Sequence, residues 1–193
     1  SSMRGVAICG SHGKTTTSCF TASLLENLGM NPAWCIGGKT DRLGAVSSCA
    51  QIPGPETMLV AESDESDGTL ALYHPEVTVI NAVDLDHVDH FSDENELIEC
   101  FKRVVSQTRR GVAVCADSPR AMRAAADAAV EKLTFALNNH ADITAREIVM
   151  GSRGCSFIPV FRGRTFPSVS LPYTGIHNIS NALAASAGAI LLG

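Results

Sequence analysis

The sequence lacks the features of a secreted, membrane-spanning or nucleic-acid-binding protein. Its seven cysteines are odd in number and contain no C-x-x-C pair, which disfavours a disulfide framework and a zinc site. No apolar run reaches the roughly 20 residues of a transmembrane helix, and no signal peptide opens the chain. The net charge is −5, so long-range electrostatics favour neither nucleic acid nor an acidic membrane surface as a partner. We therefore expect a cytoplasmic protein without nucleic-acid or membrane partners.

What is present indicates one compact α/β domain. The chain has 193 residues, of which 45% are apolar and 18% charged. Short β-branched runs alternate with helical patterns, which predicts a P-loop-type, mostly parallel sheet with helices on both faces. Strands are expected at 4–9, 57–62, 77–83 and 111–116, and helices at 14–29, 94–108, 118–132 and 177–192. A small antiparallel hairpin region is expected near residues 133–172, where short apolar runs are separated by Gly, Asn and Pro.

The stretch "GSHGKTTT" (10–17) has the character of a phosphate-binding loop. It follows a predicted strand and opens a predicted helix, so its backbone N–H groups and the helix dipole favour an anion. Gly10 and Gly13 permit a tight path, Lys14 can reach terminal phosphates, and the Thr15 hydroxyl can bind magnesium, with Thr16 as a second oxygen. The first glycine of the general P-loop is replaced by Ile8, so the loop is shorter. The alternative is a glycine turn that merely starts a helix.

Two acidic clusters follow predicted strands, at the sheet edge where α/β folds bind ligands. The first is "AESDESD" (61–67), with Glu62 at the strand tip; its later acids are as readily caps or loop residues. The second is "DLDHVDH" (84–90), in which Asp86 and His87 lie just beyond the strand and His90 fits a surface loop. A carboxylate and an imidazole near Thr15 would suit one or two divalent cations, magnesium or manganese.

These motifs together resemble the Mur ligase family, the ATP-dependent amide-forming enzymes of bacterial cell-wall assembly. The family has a G-T/S-x-G-K-T/S loop without the first P-loop glycine, as in "GSHGKTTT" here. "AESDESD", "DHVDH" and "GIHNISNALAA" match its further motifs in the same order, most closely those of the alanine-adding branch. The resemblance implies that residues 1–193 are the central ATP-binding domain, with amino-terminal UDP-binding and carboxyl-terminal domains of the same protein as partners.

The resemblance also implies roles for individual residues. Lys14, Glu62 and His87 would be catalytic, with Thr15 and Glu62 binding one magnesium ion and Glu62 and His87 the other. The asparagines at 178 and 181 would face adenine, for which helix capping is the structural alternative. Lys102 is interpreted as a surface helix lysine. The residues implied to bind ATP are Gly10, Ser11, His12, Gly13, Lys14, Thr15, Thr16, His177, Asn178 and Asn181.

The implied reaction joins L-alanine to the carboxylate of UDP-N-acetylmuramate through an acyl phosphate, with ADP released. Within the family, the alternative is the ligase that reattaches recycled murein tripeptide. Outside it, the alternatives are a P-loop kinase or NTPase and a non-catalytic nucleotide-binding module. A kinase or NTPase would need the longer loop, and nothing in its chemistry calls for a histidine ligand.

Overall fold

The computed structural model describes residues 4–38, 47–48, 57–64, 69–85, 91 and 93–193. The strands within these ranges are β1 Arg4–Cys9, β2 Ala33–Cys35, β3 Ser47–Ser48, β4 Met58–Glu62, β5 Val77–Ile80, β6 Gly111–Cys115, β7 Glu131–Phe135, β8 Ile143–Gly151, β9 Gly154–Phe161, β10 Arg164–Thr165 and β11 Val169–Leu171. The helices are α1 Lys14–Asn27, α2 Glu94–Gln107, α3 Pro119–Ala124 and α4 Ile176–Leu192, with a 3₁₀ turn at Thr69–Leu72.

All these strands belong to one sheet, in the order β10-β9-β8-β7-β6-β5-β1-β4-β2-β3, with β11 also paired to β9. The strands from β2 through β7 in this order, and β8 on β7, pair in parallel. The first strand, β1, lies between β4 and β5, with Val6 opposite both Val60 and Val77. The carboxyl ends of these three strands therefore lie side by side, and the connections that follow them meet at one edge.

Helices cover both faces of the sheet, as predicted. On one face α1 and α4 pack on each other, over a core that includes Ile8, Val79 and Leu183. On the other face α2 and α3 pack over a second core that includes Ile80 and Phe101. Within the described residues, no helix has the length and hydropathy that crossing a membrane requires.

Local sequence explains where α2 begins and which face it buries. The Asp93 side chain caps the helix by accepting hydrogen bonds from the N–H groups of Asn95 and Glu96. The apolar side chains recur three or four residues apart and are all buried. They are Leu97, Ile98, Phe101, Val104 and Val105.

Three details differ from the sequence-based expectation. The helix predicted at 118–132 ends at Ala124, because Glu131–Phe135 pairs in parallel with β6 instead of continuing the alanine-rich helix. This β7 strand therefore extends the parallel sheet, and the antiparallel region begins only with β8 and β9. The short strands β2 and β3, which we did not predict, extend the sheet beyond β4, with β2 beside β4 and β3 beside β2. The other predicted strands and helices are confirmed within a few residues of their ends.

The buried positions of two cysteines agree with the interpretation of these residues as small core side chains. Cys9 and Cys115 lie in apolar strands and are 0% and 4% exposed. Burial raises the pKa of the Cys115 thiol above its ordinary value, which opposes formation of a reactive thiolate.

Asp142 links β7 to the antiparallel strands. Its Oδ2 atom accepts hydrogen bonds from the backbone N–H and the hydroxyl of Thr134, at 2.9 and 2.8 Å, and its Oδ1 atom accepts one from Arg162 at 3.2 Å. Burial alone would raise the pKa of this carboxyl, but the donors outweigh it and hold the pKa below its ordinary value of 3.8.

We predict that Asp142→Asn removes part of the acid dependence of stability. A carboxyl whose pKa is lower in the folded state stabilises the fold fully above about pH 5, and this contribution is lost as the pH falls towards the folded pKa. The variant should lose about 1.5–3 kcal/mol of unfolding free energy at pH 7, the value of one hydrogen bond to a charged group. It should lose progressively less than that as the pH falls below 4. Urea unfolding between pH 7 and pH 2 measures the loss of unfolding free energy at pH 7 and its decrease at lower pH. Asp127→Asn, at an exposed position, is the control. An equal loss of unfolding free energy at every pH would contradict the prediction.

Candidate active site

The predicted phosphate loop lies between β1 and α1. Gly10 and Gly13 have φ angles of 123° and 77°, in the region that favours glycine. A Cβ atom on Gly10 would lie 3.0 Å from the Ala82 carbonyl oxygen, so the loop also runs close to the end of β5. Gly13 precedes Lys14 and has no side chain to cap α1. The first N–H groups of the helix are therefore available to an anion.

Thr15 and Glu62, predicted to share a metal ion, are brought together. Glu62 ends β4, beside β1, and its Oε1 atom accepts a hydrogen bond from the Thr15 hydroxyl at 2.8 Å. Its Oε2 atom accepts one from the Gly37 N–H at 2.6 Å, which fixes the carboxylate. A hydroxyl beside a carboxylate is a donor set that suits magnesium. Thr16 follows in the first turn of α1 and is half-buried.

Lys14 lies on the same side of the loop as Glu62, because it is paired with Asp64, which follows Glu62 in the chain. Its ammonium lies 3.7 Å from the Asp64 carboxylate, and only 11% of its side chain is exposed. Asp64 follows β4 by two residues, and the sequence alone did not distinguish it from a cap or loop acid. Its partner is Lys14, so it helps to hold the lysine at the loop. What brings Asp64 to the loop is the pairing of β4 with β1, for which the sequence offered no signal.

The other side of the loop is fastened to the chain that follows β5. The Ser11 hydroxyl donates a hydrogen bond to the Asp84 carbonyl at 2.9 Å and accepts one from the Asp84 N–H at 2.8 Å. The Ser11 N–H donates to the Ala82 carbonyl. The His12 ring lies 3.7 Å from the Asp84 carboxylate and is largely exposed. Ser11 is thus an anchor of the loop.

The position of His87 relative to this site stays a prediction. His87 and its neighbours Asp86 and His90 lie outside the described residues, which end on this connection at Leu85. Up to that point the chain runs beside the glycine loop, through the bonds between Ser11 and Asp84.

The start of α4 reaches the loop through one of the two predicted asparagines. Asn181 is 7% exposed, and its Oδ1 atom occupies the space where Gly13 would carry a Cβ atom. Asn178 is also buried, but its side-chain N–H₂ donates to the Thr174 carbonyl at 2.7 Å, which stabilises the start of the helix. His177 is exposed and lies against Gly175. The structure thus brings Asn181 to the loop.

Asn81 is a residue at the loop for which the sequence analysis proposed no role. It follows β5 directly, is 4% exposed, and donates hydrogen bonds from Nδ2 to the His12 carbonyl and the Thr17 hydroxyl. The signal for it is a polar residue at the end of an apolar strand that pairs with β1.

Comparisons with known proteins agree with this architecture. Residues 8–189 match the model of the family described as Mur ligase middle domain. The UDP-N-acetylmuramate–L-alanine ligase of Gloeobacter violaceus is 36% identical over 192 residues, which cover 98% of this chain and 40% of that protein. The chain thus spans about two fifths of the length of this relative.

Two solved structures share the fold. The UDP-N-acetylmuramate–alanine ligase of Thermotoga maritima matches with a TM-score of 0.81 at 22% identity, over 96% of this chain and 40% of that one. The UDP-N-acetylmuramate:L-alanyl-γ-D-glutamyl-meso-diaminopimelate ligase of Neisseria meningitides matches with a TM-score of 0.82 at 27% identity, over 100% of this chain and 62% of that one. Because the family match extends over nearly all of the sequence, this chain belongs to the Mur ligase family, as a middle domain.

Proposed function

We propose that this chain is the ATP-binding domain of a ligase that joins L-alanine to the carboxylate of UDP-N-acetylmuramate in the cytoplasm. The observation that carries the proposal is the meeting of three side chains at one sheet edge. Lys14 and Thr15 are the first two residues of α1, directly after the glycine loop. Glu62, at the end of the neighbouring strand β4, accepts a hydrogen bond from the Thr15 hydroxyl. The alanine specificity is supported by the Gloeobacter violaceus relative, whose name states that reaction.

Each group has a distinct task in this proposal. The loop N–H groups and Lys14 hold the ATP phosphates and offset the negative charge that the γ-phosphate and the substrate carboxylate bring together. Thr15 and Glu62 would supply oxygen ligands for one magnesium ion, and Glu62 with His87 would supply ligands for a second. Magnesium, when bound, neutralises phosphate charge. The γ-phosphoryl group passes to the muramyl carboxylate, and ADP leaves. The alanine amine then attacks the acyl carbon, which forms the amide bond and releases inorganic phosphate and a proton.

The remaining parts of the active site belong, in this proposal, to flanking domains of the same protein. The chain spans 40% of the length of its Gloeobacter violaceus relative. An amino-terminal domain would hold the UDP moiety, and a carboxyl-terminal domain would close over ATP. We therefore expect the 193-residue chain alone to bind Mg-ATP but to have little or no ligase activity. Calorimetry with a non-hydrolysable ATP analogue tests the first part; alanine-dependent ADP release by the isolated chain would contradict the second.

Glu62→Gln is expected to weaken the use of magnesium more than the fold. The amide oxygen can still accept the Gly37 N–H, but the charge that would hold the cation is gone. In the protein with its flanking domains, the magnesium concentration for half-maximal turnover should rise by about tenfold or more. Glu99→Gln, on the exposed surface of α2, is the matched control. Wild-type turnover of Glu62→Gln at limiting magnesium would refute this metal site.

The second candidate is the ligation of the tripeptide instead of alanine. The Neisseria meningitides ligase, whose name contains that tripeptide, matches this fold over 100% of the chain. Product formation by the protein with its flanking domains decides between the two substrates. ATP hydrolysis without any amide product, with either substrate, would favour an NTPase instead.

A further inference from the structure

Asn81 connects the glycine loop to the first turn of α1 through hydrogen bonds from its side chain. Its Nδ2 atom donates a hydrogen bond to the His12 carbonyl at 3.1 Å and another to the Thr17 hydroxyl at 3.0 Å. The first partner lies in the loop and the second in the first turn of α1. The sheet fixes the position of Asn81 itself, because its backbone N–H donates to the Cys9 carbonyl at the end of β1.

The bond to His12 determines the direction of the next N–H group. In a trans peptide the carbonyl and the following N–H point in opposite directions. Because the His12 carbonyl points at the buried Asn81 amide, the Gly13 N–H points away from that amide. If this peptide rotated, the loop would present a carbonyl oxygen in place of a donor, and an anion would be repelled.

The peptide between His12 and Gly13 is one that rotates easily. Gly13 has a φ angle of 77°, and glycine has few steric barriers to other backbone conformations. A contact outside the loop is therefore needed to select one orientation. Asn181 packs where a Gly13 Cβ atom would lie. Among the described residues, however, it forms no hydrogen bond with the His12–Gly13 peptide.

Only one of the two polar atoms of the Asn81 side chain, Nδ2, forms hydrogen bonds with the described residues. Its Oδ1 atom is buried and accepts no hydrogen bond from the part of the chain that the structure describes. An unpaired buried acceptor is unfavourable, and an apolar side chain of the same size would avoid it. The two bonds donated by Nδ2 are thus the contribution that only an amide makes at this position.

We propose that Asn81 is a positioning residue that holds the His12–Gly13 peptide with its N–H facing the ATP phosphates. It acts through the loop, by its hydrogen bonds to the His12 carbonyl and the Thr17 hydroxyl. This inference rests on the proposed function for the identity of the anion. The orientation of the peptide itself does not depend on that identity.

The test replaces Asn81 by leucine, which keeps the size of the side chain but has no donor, and by alanine in case leucine disturbs the packing. Thr78→Val is the matched control: Thr78 lies on β5, which Asn81 follows, is 0% exposed, and shares a hydrogen bond with the Thr108 hydroxyl. Both exchanges remove a buried hydrogen-bonding group from β5 or its end, but only Asn81 contacts the loop.

Two measurements on the 193-residue chain decide the outcome. Without nucleotide, the Gly13 amide resonance in ¹⁵N NMR spectra should shift or double in the Asn81 variants and stay in place in Thr78→Val. Calorimetry with Mg²⁺ and a non-hydrolysable ATP analogue should show affinity lowered by about tenfold or more in the Asn81 variants only, the effect of one lost hydrogen bond to a charged group. An unchanged Gly13 resonance, or equal affinity losses in Asn81→Leu and Thr78→Val, would overturn the proposal. If the wild-type chain binds no nucleotide, the proposed function fails. The Gly13 amide resonance of the variants then remains as the test of whether Asn81 orients the loop.

Discussion

Replacing Lys14 by alanine should lower turnover by at least 10²- to 10³-fold, the loss typical when one preorganised charge-stabilising donor is removed. The exchange is made in a protein that joins this chain to the flanking domains proposed above. The ammonium is held at the loop, 11% exposed, with Asp64 at 3.7 Å. During transfer, negative charge spreads over the γ-phosphate oxygens, which the Lys14 ammonium is placed to offset. Among the described residues, Arg120 lies towards Asp84, on the other side of the loop from Lys14. The loss should therefore appear mainly in kcat. Steady-state ADP release at saturating ATP and magnesium measures it.

Lys102→Ala is the control for this exchange. Lys102 lies on α2 and forms an exposed ion pair with Glu99 at 2.7 Å, so its loss should change neither turnover nor stability measurably. If Lys14→Ala kept more than a tenth of wild-type turnover, Lys14 would not be the phosphate ligand. If Lys102→Ala abolished turnover, its interpretation as a surface lysine would be wrong.

The sequence was sufficient for the strand, glycine turn and helix that carry Lys14 and Thr15, because each of these parts is local. A strand, a glycine turn with Lys14 and Thr15, and a helix are adjacent along the chain, and each has a strong pattern of its own. The meeting of Thr15 with Glu62 followed from one general rule, that the carboxyl ends of parallel strands share an edge.

The contacts that fasten the loop could not be predicted in the same way. Asn81 and Asp64 act on the loop only because β5 and β4 are the two neighbours of β1, an order that no pattern in the sequence specifies. The end of α3 was mispredicted for a related reason. Alanine favours a helix locally, but the pairing of Glu131–Phe135 with β6 outweighs this preference.

Gly13→Ala is expected to be far more harmful than Gly29→Ala, although both glycines have nearly the same backbone conformation. They lie at the two ends of α1, with φ angles of 77° and 79°. Each exchange therefore costs on the order of 1–2 kcal/mol for a side chain in the left-handed region. A Cβ atom on Gly29 would meet no atom within 4 Å, whereas one on Gly13 would overlap the buried Asn181 amide and approach that of Asn81.

The difference between the two variants therefore isolates the packing around the loop. Gly13→Ala should lose about 1–3 kcal/mol more unfolding free energy than Gly29→Ala, the usual range for an overpacked site. It should also lose affinity for Mg-ATP analogue, because Asn181 can make room only by moving and the loop moves with it. Gly29→Ala should bind as the wild type does. Urea unfolding, and calorimetry at a temperature where circular dichroism shows both variants folded, measure the two effects. If Gly13→Ala and Gly29→Ala had equal stability and equal affinity, Asn181 and Asn81 would be able to move aside without a loss of free energy. The loop would then not be held by the groups packed against Gly13.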